Sequence, residues 1–99
     1  MTSYEVELLL GAEIEFLELY SVYGDRFYVL FDECLDQIRK FPRSAPIYTS
    51  PFHRLLIRKT PYALFYAVEG RRVLIHAILD LRMSPSRIAE RLGGWEKLS

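Results

Sequence analysis

The amino-acid sequence predicts an α/β domain of the two-layer α+β kind: an N-terminal strand, an antiparallel helix hairpin on a mainly antiparallel sheet of three to four strands, and a short C-terminal helix. Three observations predict it. Residues Phe52 to Pro85 read as successive strands, and Ala12 to Phe41 carries apolar residues at helical spacing on both sides of a Gly24-Asp25 break. The break is too short for anything but an antiparallel pair of helices, and the greasy side of each needs a sheet to receive it.

Phe52–Arg58 is apolar and β-branched between two prolines, and suits a pleated surface. Tyr62–Val68 alternates Tyr62, Leu64, Tyr66 and Val68 against Ala63, Phe65 and Ala67. Glu69-Gly70 marks a hairpin, because glycine takes a positive φ without a Cβ clash. Arg72–Leu79 is the return strand. Its faces, Val73, Ile75, Ala77, Leu79 and Leu74, His76, Ile78, are both mostly apolar, so a central position is expected. Tyr4–Leu10 alternates as a further strand that Gly11 breaks.

In Ala12–Tyr23 the spacing of Ala12, Phe16, Leu19, Tyr20 and Tyr23 predicts an amphipathic helix, with Glu13, Glu15 and Glu18 elsewhere. Asp25 is the expected N-cap of a second helix, whose stripe is Phe27, Leu30, Phe31, Cys34, Leu35, Ile38 and Phe41. Asp36 and Lys40 support its outer face, and it stops before Pro42. Pro42–Pro51 is expected to be a connector. Ser84-Pro85 opens the last helix with a capping hydroxyl and a proline at the first helical position. Ile88, Ala89 and Leu92 form its stripe, Gly93-Gly94 is expected to end it, and Trp95 to Ser99 then reads as a loose tail unless Trp95 docks.

Ninety-nine residues make one domain, spanning 1–99, and 51% hydrophobic content fits a globule. Acids and bases cancel to a formal net charge of +0, which argues against a protein whose whole task is gripping nucleic acid. The distribution is uneven, however. Arg54, Arg58, Lys59, Arg71, Arg72 and Arg82 lie on the sheet half and the acids concentrate in the first 36 residues, so a basic sheet surface opposite acidic helices is expected.

Cys34 is alone, which excludes an internal disulfide and points to burial as a small hydrophobe. The acidic N-terminal stretch is neither a signal peptide nor a membrane span, so a cytoplasmic location and no membrane partner are expected. Two separated histidines and one cysteine recommend no metal site, and no phosphate loop is visible. No cofactor is expected.

The order of Arg54 on one strand, Pro61-Tyr62 opening the next, Phe65-Tyr66 within it, a glycine hairpin, and a closing run with Leu81, Arg82 and Pro85 resembles the RelE/ParE superfamily of type II toxins, on its ParE-like side. The resemblance covers about Tyr4 to Leu92. It implies the toxin of a plasmid stabilisation module that binds and poisons DNA gyrase and is neutralised by a cognate antitoxin, as a homodimer or a heterotetramer with that antitoxin. Arg54, Arg58, Tyr66 and Arg82 are then the residues expected at the target or antitoxin interface.

RelE-like members of the superfamily are ribosome-dependent mRNA endonucleases. By that analogy Arg54, Lys59 and Arg82 would hold the phosphate, and Tyr62 or His76 would move protons, since RNA cleavage needs a base and an acid beside its cations. The ribonuclease branch typically ends with a Tyr, His or Phe near the C-terminus, where this chain has only Trp95. Asp80 to Pro85 keeps the arginine and proline of a ParE-like closing run and lacks its His, second Arg and Asp. A third reading is a diverged, non-toxic scaffold of the same fold.

Overall fold

The computed structural model describes the backbone of residues 4–98 and the side chains of residues 4–93. β1 (Glu5–Leu8) leads into α1 (Leu10–Tyr23) and α2 (Asp25–Lys40), followed by β2 (Ile47–Thr49), β3 (Phe52–Leu56), β4 (Tyr62–Glu69), β5 (Arg72–Asp80) and α3 (Pro85–Leu98). The strands form one sheet in the order β1-β5-β4-β3-β2, with β1 parallel to β5 and all other pairs antiparallel. The fold class is the α+β arrangement expected, and β5 is flanked by strands on both sides. The fifth strand, β2, lies within Pro42–Pro51, where a connector was expected.

Alternation along β4 and β5 builds two cores. Leu64 and Tyr66 of β4 and Val73, Ile75 and Ile78 of β5 face the helix hairpin, where they meet Ala12, Phe27, Phe31, Cys34 and Ile38. Ala63, Phe65, Ala67, Ala77 and Leu79 face the other way and are covered by Ile88 and Leu92 of α3. The third helix therefore adds a partial layer on the opposite face. Burying a large apolar side chain in either core contributes on the order of 2 kcal/mol.

A register shift between Phe65 and Tyr66 places His76 at a bulge in β5, since Phe65 pairs with Ala77 and Tyr66 with Ile75. The β4–β5 hairpin closes through Gly70 and Arg71. Gly70 has φ 62°, as a primed two-residue turn requires.

Several boundaries differ from the sequence-based expectation, each for a local reason. Gly11 sits inside α1 instead of ending a strand, because β1 stops at Leu8 and the Leu9 amide donates to the Ile75 carbonyl. Asp25 is the first residue of α2 and Gly24 precedes it with φ 69°; the Asp25 carboxylate accepts from the Tyr20 hydroxyl at 2.7 Å. Phe41 lies past the end of α2 and is exposed. Gly93 and Gly94 do not end α3, whose backbone continues to Leu98; the Trp95 side chain lies outside the described residues.

The largest departure is in α1. Ala12 is buried and Phe16 and Leu19 are packed against the core, but Leu10, Ile14, Leu17 and Val22 are exposed, so the helix is apolar on its outer side too.

Candidate functional site

Three of the residues singled out in the sequence, Lys59, Tyr62 and Arg82, lie at the end of the sheet where β5 runs out. Asp80, its last residue, is in register with Tyr62, the first residue of β4. The chain then turns, with the Leu81 amide on the Pro61 carbonyl and the Met83 amide on the Asp80 carbonyl. This turn folds the Arg82 side chain back onto Asp80: Nε donates to Oδ1 at 3.0 Å and Nη2 to Oδ2 at 2.7 Å, while the Arg82 amide also reaches Oδ1. Those hydrogen bonds hold the Asp80 carboxyl below its ordinary range and raise the Arg82 guanidinium. The Arg82 side chain is 72% exposed and accessible to a partner.

Tyr62 joins this end to the helices. Its ring meets Phe27 edge-on at 6.3 Å, and its hydroxyl lies 3.3 Å from that of Tyr23. The hydrogen bond with Tyr23 raises the Tyr62 hydroxyl above its usual pKa, with burial and Asp80 adding and Arg82 opposing.

Beside this pair is a cavity of about 340 Å³ between the tip of the α1–α2 hairpin and the turn before β4, with Tyr23, Arg26, Phe27, Lys59, Thr60 and Tyr62 in its wall. Lys59 holds φ 66°, a left-handed conformation that fixes where its side chain departs. The sequence marks Tyr23 only as part of the apolar stripe of α1 and does not mark Arg26. Nothing in linear spacing marks either as part of a site, because they meet Lys59 only through the fold.

The other candidates are dispersed. Arg54 lies on the α3 face of the sheet, in register with Phe65, and its Cζ sits 5.1 Å from the centroid of the Tyr48 ring. Tyr62 packs on the hairpin side, so Arg54 and Arg82 do not converge on one phosphate. Arg58 donates Nη2 to both carboxylate oxygens of Glu33 on α2, at 3.1 and 3.0 Å.

Tyr66, expected at an interface, is 1% exposed and its hydroxyl donates to the Pro42 carbonyl at 2.6 Å; its place on the core-facing side of β4 makes it structural. His76 is buried, with its ring 5.0 Å from that of Phe52, and burial lowers its pKa. His53 is buried as well. Its Nδ1 lies 2.8 Å from the Ala45 carbonyl and its ring stacks on Tyr66.

The basic sheet and acidic helices do not form two separate faces. Ion pairs mix the charges: Arg58 beside β3 pairs with Glu33 of α2, Arg72 of β5 with Glu7 within the sheet, and Arg91 of α3 with Glu15 of α1. Among the described residues no cluster of His, Cys, Asp or Glu could hold a metal ion, and no helix is long and apolar enough to cross a membrane. No protein-family model matches the chain, and no curated protein matches it.

Proposed function

We propose that this protein is the toxin of a type II toxin-antitoxin module, ParE-like, which binds and poisons DNA gyrase and is neutralised by a cognate antitoxin. The observation that carries a binding role is the outward row on α1: Leu10, Ile14 and Leu17 are 72%, 48% and 56% exposed, at helical spacing. A contiguous apolar face left in water is the mark of a surface that meets a partner. The choice of toxin rests on the resemblance in Phe52 to Pro85, and the exposed Arg82 after β5 supports it.

The endonuclease reading is weaker on geometry. Lys59, Tyr62 and Arg82 share one end of the molecule, but Arg54 faces the opposite side and His76 is buried near mid-strand. Cleavage would need an acid and a base near the same cations.

Induced expression in a bacterium tests the proposal. A DNA-damage response with intact transcripts is the expected result, and Arg82→Ala should weaken it. Rapid cutting of messenger RNA, or unimpaired growth with the protein abundant and folded, would refute it.

A further inference from the structure

The cavity at the hairpin tip has a composition that neither gyrase binding nor core packing requires. Two cations, Arg26 and Lys59, are in its wall, and neither makes a salt bridge with a described residue. Acids on the adjoining segments have partners of their own. Asp80 is held by Arg82, Glu33 by Arg58, and Asp25 accepts from Tyr20. Arg26 and Lys59 thus remain outside any ion pair with a described residue, in a concave site where field lines are focused.

The rest of the wall is apolar and aromatic: Phe27, Leu30 and Pro61, with the rings of Tyr23 and Tyr62. The two tyrosine hydroxyls share one hydrogen bond, so the second proton of the pair remains available to a ligand oxygen. The Thr60 hydroxyl is already engaged, donating to the Ile57 carbonyl and accepting from the Tyr62 amide. A volume of about 340 Å³ falls within the usual range of small-molecule sites, roughly 300–1,000 Å³.

We propose that this cavity is a binding site for a small organic anion, a carboxylate or phosphate monoester carried on an apolar or aromatic body. The anionic group pairs with Arg26 and Lys59 and accepts from the tyrosine pair, and the body lies against Phe27 and Leu30. The proposal does not rest on the toxin reading, since it uses neither Arg82 nor the outer face of α1.

Amide NMR titration of the full chain tests it with three probes: phenyl phosphate, benzoate and neutral benzyl alcohol. Saturable shifts confined to residues around Tyr23, Leu30 and Tyr62 are expected from at least one anion. The alcohol should bind about tenfold more weakly, the factor that corresponds to roughly 1.4 kcal/mol. Whichever of the two anions binds more tightly identifies the headgroup.

Arg26→Gln and Lys59→Asn remove the charges separately, and asparagine tolerates the left-handed backbone at 59. Each should weaken anion binding about threefold or more while the rest of the amide spectrum stays in place. Absence of saturation with both anions, equal binding of the alcohol, or unchanged affinity in both folded variants would overturn the assignment.

Discussion

The Arg91 guanidinium on α3 grips the Glu15 carboxylate on α1, with Nε on Oε2 at 3.1 Å and Nη2 on Oε1 at 3.2 Å. The two helices lie on opposite faces of the sheet, so this pair reaches around the edge of β5. It also completes that edge. β1 pairs with β5 only as far as Ile75, and beyond it Arg91 donates to the His76 carbonyl at 2.7 Å while Glu15 accepts the Ile78 amide at 2.9 Å. Two side chains thus satisfy backbone groups that a longer strand would otherwise have paired.

Gly11 makes room for this clip, because a Cβ there would stand 2.3 Å from Arg91 Nη2. Alanine normally favours a helix interior over glycine by about 1 kcal/mol. Gly11→Ala should nevertheless destabilise the protein when Arg91 is present, and become neutral or stabilising in an Arg91→Ala background. Arg91→Ala alone should cost about 2 kcal/mol, since it orphans a carbonyl and a carboxylate. Urea unfolding of the four-member cycle measures both; additive effects would contradict the clip.

Tyr66 should control alkaline stability. Burial pushes its pKa up to about 12 from an ordinary value of 10.0. The unfolded chain therefore releases this proton first, so the stabilisation is whole below pH 10 and lost as the pH climbs towards 12. Cys34, pushed up to about 11 chiefly by burial, adds in the same direction. Tyr66→Phe should flatten part of this alkaline loss and, by unpairing the Pro42 carbonyl, cost about 1–2 kcal/mol at neutral pH. Unfolding midpoints from pH 8 to 12 decide it.

At the acid end the relevant group is His76. Burial lowers its pKa below 6.5, Glu69 opposes this and Arg91 assists. A depressed folded value means that stability is present above about pH 6.5 and falls as the unfolded chain takes up the proton first. His76→Leu should remove part of the loss of stability as the pH falls below about 6.5. An unchanged slope in that variant would show that other groups govern the acid limb.

Much of this fold was legible because the apolar patterns of β4, β5 and α2 agree with their tertiary places. Phe27, Phe31, Cys34 and Ile38 fall at helical spacing and are all buried; the Asp36–Lys40 pair forms at 3.1 Å. Glu69 and Gly70 mark the end of β4 and the turn that follows. The misread stretches are those where local signal and tertiary context part. Ile47–Thr49 is only three residues among prolines and serines, and becomes a strand by adding to the edge of β3. Gly11 resembles a breaker, yet it serves a side chain 80 positions later. The cavity could not be foreseen at all, because Tyr23 of α1 and Arg26 of α2 meet Lys59 of the β3–β4 turn only through packing.

The outer row of α1 should be dispensable for folding. Ile14→Lys with Leu17→Lys is expected to change stability by no more than about 0.5 kcal/mol, as for other surface substitutions. It should abolish recognition by a protein partner that uses this face. Unfolding curves and co-purification with a cognate antitoxin measure the two effects separately; retained co-purification would move the interface elsewhere.

The most direct measurement mixes the purified protein with DNA gyrase, ATP and supercoiled plasmid, and counts protein-linked double-strand breaks after denaturation and protease treatment. The account predicts breaks that rise with protein concentration and diminish for Arg82→Ala. Unbroken, fully supercoiled plasmid at saturating concentrations of the folded protein would contradict it.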